Sequence, residues 1–188
     1  MAAADPRSRT RFWNRLGLLV GMPSALVAAL CWVSPIHLVV QARSEQSVPF
    51  TLGRTAAVPA AWAHGDYVEF RTRDLRPYYA AETPFTKIVA GIPGDRLGVD
   101  GRTFTINGAR IGTARETDRM GRPAWLYHPV PDANGFCRTP PTPVTGATSC
   151  VLPAGTLFVL GTHERSFDSK YWGVVTAAEV TSRVIPLF

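Results

Sequence analysis

Apolar residues fall along this chain in two regimes. From Leu16 to Gln41 there is no formal charge, and Leu16–Val33 is apolar apart from small residues and Pro23; Pro35-Ile36-His37-Leu38-Val39-Val40 prolongs the run. A membrane-spanning helix needs roughly 20 such residues, whereas the core of a cleaved signal peptide needs about 7–15. The pattern therefore predicts a transmembrane anchor over residues 16–40. Beyond it the period drops to two. Tyr67–Thr72 alternates after the turn Gly65-Asp66, and Phe85–Ile92 is an apolar run stopped by Pro93-Gly94. Asp100-Gly101 and Asn107-Gly108 separate Arg96–Val99, Arg102–Ile106 and Ala109–Ile111, the signature of a β-meander. Thr156–Leu160 is a strand running into Gly161. Residues 42–66 and 73–84 read as irregular, residues 112–150 as a Pro-rich insertion, and Thr176–Val180 as a helical turn in a β-prone end. The fold class expected is mainly β, behind one N-terminal transmembrane helix.

Charge orients this arrangement. The chain of 188 residues carries a net charge of +6. Residues 1–15 hold Arg7, Arg9, Arg11 and Arg15 against Asp5 alone, which makes them a basic cytoplasmic tail and places residues 41–188 on the exported side. The localisation expected from charge is a single pass through a cytoplasmic membrane, with the N-terminus inside. The remaining charge forms no basic stripe with interleaved aromatics, so nucleic acid is not an expected partner.

Cys31 lies in the predicted span, while Cys137 and Cys150 lie in the exported part. An oxidising compartment lets the latter two pair; on spacing alone two free thiols remain the alternative. No HExxH, CxxC or other ligand spacing occurs, so neither a metal nor a cofactor is expected.

Candidate chemistry begins with lysine. Of 20 basic residues only Lys87 and Lys170 are Lys. A desolvated Lys can lose its proton; Arg cannot. Lys87 lies within the apolar run Phe85–Ile92 and shares a face with Phe85, Val89 and Gly91 on period-two alternation. Burial there would lower its pKa from about 10.4 and suit it to general-base work; an ordinary solvent-facing strand charge is the alternative. Its partner nucleophile should be a serine, but Ser44, Ser47, Ser149, Ser166, Ser169 and Ser182 cannot be separated on composition.

Three ordered segments resemble the type I signal peptidase superfamily, and more closely its conjugative-transfer branch, the TraF-like pilin-processing peptidases. Ser47-Val48-Pro49 resembles the Ser-x-Pro nucleophile box. Thr86-Lys87-Ile88-Val89-Ala90-Gly91-Ile92-Pro93-Gly94-Asp95 resembles the Lys-Arg-Val-x-Gly-x-Pro-Gly-Asp box. Gly161–Gly173 resembles the Gly-Asp-Asn-x-x-x-Ser-x-Asp-Ser-Arg-x-x-Gly box. The resemblance spans residues 12–188 and implies a signal-peptidase-like β-rich catalytic domain. It implies Ser47 as nucleophile, Lys87 as general base, Ser166 as the hydroxyl that orients the amine, and an Asp168–Lys170 ion pair that fixes the loop. Three departures stand out. The third box is one residue shorter between Gly161 and Ser166, with Thr162-His163 for Asp-Asn. Ile88 replaces the usual Arg. Glu45 occupies the position two before the nucleophile, where a small hydroxyl residue is common.

The function implied is a membrane-anchored serine endopeptidase that matures a conjugative pilin precursor and can join its ends by transpeptidation. Its expected partners are that precursor or another membrane-inserted signal-peptide substrate, the membrane, and components of a conjugative type IV secretion system. Two alternatives remain: a general signal peptidase, and an anchored non-catalytic scaffold.

Overall fold

The computed structural model describes residues 38–40, 47–118, 120–139 and 145–187. The basic tail, the apolar run up to residue 37 and Glu45 lie outside them. Among the described residues no helix is long and apolar enough to cross a membrane.

Leu38–Val40, the last residues of the predicted anchor, form strand β1 instead. Val39 is buried while Leu38 and Val40 face outward, the alternation of a strand and not the stripe of a helix. The β-domain thus begins at Leu38, three residues earlier than expected. β2 (Leu52–Ala56), β3 (Tyr67–Arg71) and β4 (Pro84–Gly91) follow, then the expected meander as β5 (Arg96–Asp100), β6 (Thr103–Ile106) and β7 (Ala109–Thr113). Ile106 pairs with Ala109 across Asn107-Gly108, and both turn residues have positive φ, 51° and 83°, as a type I′ hairpin requires. The segment read as an insertion contributes β8 (Val130–Pro131), β9 (Cys137–Arg138) and β10 (Thr148–Val151). β11 (Thr156–Leu160), a one-turn helix α1 (Ser169–Trp172), β12 (Val175–Thr176) and β13 (Val180–Pro186) complete the chain.

Seven strands form one sheet in the order β1-β2-β13-β3-β4-β11-β12, and four form a second, β10-β5-β6-β7. The sheets meet through large apolar side chains; Phe104 of β6 stacks on Phe158 of β11 with centroids 5.8 Å apart. Phe70, Leu97, Val89 and Leu152 fill the same core. A second, smaller cluster joins Val39, Val48, Phe50 and Val184. It ties β1 and the segment after Ser47 to the far end of the large sheet.

Two further expectations change. Residues 42–66 are not wholly irregular, because β2 lies among them. Its inward positions are Gly53 and Thr55, so no apolar alternation marks it. Gly53 is needed there: an added Cβ would stand 2.8 Å from a Val184 methyl and 2.9 Å from the Phe50 ring. Likewise Thr176–Val180 is a turn between strands, closed by the Glu179 N–H donating to the Thr176 carbonyl, and not a helical turn.

Candidate active site

β4 sits between β3 and β11, but the β11 ladder stops at Ile88, so among the described residues Lys87 has a strand partner on the β3 side alone. Its backbone pairs with Val68. The alternation read from the sequence holds: Lys87, Val89 and Gly91 are buried on one face, and Lys87 is 3% exposed. The amine reaches two hydroxyls. Lys87 Nζ donates to Ser47 Oγ at 2.6 Å and to Ser166 Oγ at 2.8 Å. It also lies 5.2 Å from the centre of the Phe85 ring. Among the described residues Ser47 therefore faces an amine and not a histidine. His64 bonds Asp95 instead, and exposed His163 accepts from the Arg165 N–H.

Each hydroxyl is delivered by a constrained segment. Ser47 precedes Val48, which is wholly buried, and Phe50, which is nearly so. Its carbonyl accepts from the Thr162 N–H at 2.9 Å, which joins the first box to the third. Ser166 is placed by a tight turn in which its own N–H donates to the His163 carbonyl at 2.8 Å. This turn absorbs the residue missing between Gly161 and Ser166, so the shortened box still brings Ser166 to Lys87.

Below these groups lies a buried ionic brace. Asp168 is 0% and Lys170 5% exposed, and Lys170 Nζ meets Asp168 Oδ2 at 2.7 Å. The Asp168 carboxylate also accepts from the Gly161 N–H at 3.2 Å and from the Lys170 N–H, and it caps α1. Ser169, also 0% exposed, accepts from the Val159 N–H at 2.9 Å. The ladder of β11 with β4 slips at Phe158/Val159, and the Ser169 hydroxyl takes up the N–H that the bulge frees. Cys137 and Cys150 are joined as a disulfide away from these groups, with Cα atoms 4.9 Å apart, and anchor β9 and β10.

Two features escaped the sequence reading. One is the turn after β4. Burial pushes the Asp95 carboxyl up, but hydrogen bonds from the Ile92 N–H, Asn107 and His64 outweigh it and hold the group below the usual carboxylate range. Asp95 thereby locks the end of the strand that carries Lys87. The other is Gly161. A Cβ there would fall 2.0 Å from Ser166 Oγ and 3.1 Å from the Ser47 carbonyl oxygen. Only a residue without a side chain lets Ser166 turn toward Lys87.

The chain has the layout of a serine hydrolase domain, a hydroxyl and a buried amine meeting at the end of a β-core. The model of the signal peptidase family, peptidase S26, matches residues 19–188, and the chain belongs to this family of serine peptidases. A signal peptidase I from Enterococcus faecalis, solved by crystallography, matches with 22% identity over 69% of this chain and 100% of that one, at a TM-score of 0.38. Among curated proteins none matches.

Gly161→Ala is expected to lower peptide-cleavage turnover about 100-fold, the scale set by displacing a positioned group by an ångström. Overpacking should cost only about 1–3 kcal/mol of stability. Cleavage kinetics beside a melting curve test this. Turnover at the wild-type rate would show that Ser166 is not needed where it stands.

Proposed function

We propose that this protein is a membrane-anchored serine endopeptidase in which Ser47 is the nucleophile and Lys87 the general base, and that its substrate is a conjugative pilin precursor. The observation that carries the reading is the buried Lys87 amine between Ser47 Oγ at 2.6 Å and Ser166 Oγ at 2.8 Å. Desolvation favours a neutral amine over an ammonium. A neutral Lys87 keeps one N–H on Ser166 and turns its lone pair toward Ser47. It takes the Ser47 proton as Oγ adds to the scissile carbonyl. The oxyanion faces the Ser47 backbone N–H. Collapse expels the amine fragment, which takes its proton from the Lys87 ammonium, and leaves an ester on Ser47. Water, deprotonated by Lys87, then frees the acid. A substrate amine in place of that water would instead form a new peptide bond and join pilin ends.

Access for an extended substrate is compatible with the sheet. The β11 ladder ends at Leu160↔Ile88, so Pro84–Lys87 have a strand partner on the β3 side only among the described residues. A substrate backbone can pair there beside the amine. The apolar run before β1 would hold the site near the outer face of the inner membrane, where pilin precursors emerge. The pilin reading draws on the Ser47-Val48-Pro49 box and the compact third box; the family match equally supports a general signal peptidase.

Mass spectrometry of a pilin precursor, co-expressed with the wild type or with Ser47→Ala, tests the proposal. The wild type should shorten the precursor and the variant should not. A product lighter by one further water would indicate ring closure. An unchanged mass with both proteins would sink the pilin reading.

A further inference from the structure

A cleft of about 470 Å³ opens beside the third box. Its floor is aromatic. Tyr78 meets Trp125 at 5.2 Å and Phe167 at 5.0 Å, and Trp125 and Phe167 lie 6.1 Å apart. Trp125 is 38% exposed, so much of its ring faces the opening. The wall connects to the dyad through rings alone. Lys87 Nζ lies 5.2 Å from Phe85, Phe85 meets Tyr79 at 4.8 Å, and Tyr79 stacks on Phe167 at 5.7 Å. Phe167 and Arg165 flank Ser166 in sequence; Ser166 turns in to Lys87 while both neighbours line the cleft.

Aromatic enclosures can take cations as readily as apolar groups. The charges here argue against a cation. Asp118, the carboxylate in the lining, already accepts from Tyr78 OH, Arg122 Nε and the Met120 and Arg122 N–H groups, at 2.7–2.9 Å. No lone pair is left to recruit a ligand. The cations are less committed. Among the described residues the Arg115 guanidinium pairs with Glu164 alone, at 3.3 Å, and Glu164 is 80% exposed. Such a pair exchanges cheaply for a better one. Arg165 is exposed, and no carboxylate among the described residues pairs with its guanidinium. An apolar floor with two available guanidinium groups at its rim complements an apolar side chain next to a carboxylate.

We propose that this cleft is a recognition subsite for an acidic segment of the polypeptide substrate, one that carries an aromatic or large aliphatic side chain beside a carboxylate. The inference rests on the peptidase reading for its occupant. The side chain fills the space above Trp125 and Phe167, and the carboxylate bridges Arg165 and Arg115. Because Arg165 and Phe167 adjoin Ser166, occupancy also holds the segment that orients Lys87.

The test uses full-length Ser47→Ala protein in detergent, titrated calorimetrically with acetyl-Glu-Phe-Glu-amide and with its Gln-Phe-Gln and Lys-Phe-Lys counterparts. The acidic peptide should bind about 5-fold more tightly than the neutral one, the scale of one well-placed surface ion pair, and the cationic peptide most weakly. Arg165→Gln should erase the difference between acidic and neutral peptides, and Trp125→Ala should weaken all three. No binding of the acidic peptide, equal affinities, or a preference that survives Arg165→Gln would overturn the proposal. Wild-type protein with a pilin precursor reports on the peptidase separately. If it cleaves the precursor, the acidic peptide should raise KM without lowering kcat, and failure to compete would overturn the subsite's role in substrate binding. If nothing is cleaved while the acidic preference persists, the pilin reading falls and an acidic-peptide site remains.

Discussion

Lys87→Met should abolish cleavage while leaving the domain folded. Methionine has nearly the length of lysine, and burying a thioether in place of an amine at 3% exposure is favourable. The loss is the donor to Ser47 and Ser166, worth about 1 kcal/mol for each hydroxyl left without it. These effects oppose each other, so the melting temperature should move little. Turnover should fall by about 100- to 10,000-fold, the usual contribution of a positioned general base. Lys87→Arg sharpens the test, because a guanidinium keeps its proton in proteins. If the site needs only a positive charge, Arg restores cleavage; if it needs a base, Arg is as inactive as Met. Cleavage rates for the three proteins, with circular dichroism as the folding check, decide between them. Wild-type turnover by Lys87→Met would rule out the dyad.

What the sequence discloses follows from how many residues share each signal. Lys87 stood out because lysine is rare in this chain and the run around it alternates; the pleat named its face, but the choice between core and solvent rested on the resemblance of the boxes. The meander was legible from Asp100-Gly101 and Asn107-Gly108, since those pairs satisfy a backbone requirement whatever surrounds them. β2 was hidden, because Gly53 and Thr55 fill its inward positions and carry no apolar signal. The start of the β-domain was hidden for the opposite reason: Leu38–Val40 is as apolar as a membrane span, and three residues are too few for a change of period to show. Residues 112–150 reach the core through isolated side chains, Ala114, Tyr127, Cys137 and Cys150, so no window over them has a period at all. The role of Gly161 exists only relative to the rotamer of Ser166, which no pattern in one dimension encodes. The cleft is of the same kind: Tyr78, Trp125 and Phe167 come from three separate segments.

The second large effect is expected at the brace beneath the site. Lys170→Met leaves Asp168, 0% exposed, without the cation 2.7 Å away. Removing one partner of a buried ion pair costs about 3–5 kcal/mol, because the remaining charge stays desolvated. At this chain length that is a fall of about 10 °C in melting temperature. Asp168→Asn made in the same chain should recover much of it, since an amide carries no charge to strand, and a double-mutant cycle would then show strong coupling. Arg76→Gln, which breaks an exposed pair with Asp74, should leave the melting temperature unchanged. Activity adds a second readout. The Asp168 carboxylate takes the Gly161 N–H, and Gly161 borders both Ser166 and the Ser47 carbonyl. Loss of the brace should therefore lower kcat below the melting transition, even where the protein is still folded. Recovery of stability without recovery of kcat in the double variant would show that the charge of Asp168 positions this loop. Recovery of both would show that the pair needs only to be neutralised. A Lys170→Met protein as stable as the wild type would mean that the two groups are not coupled.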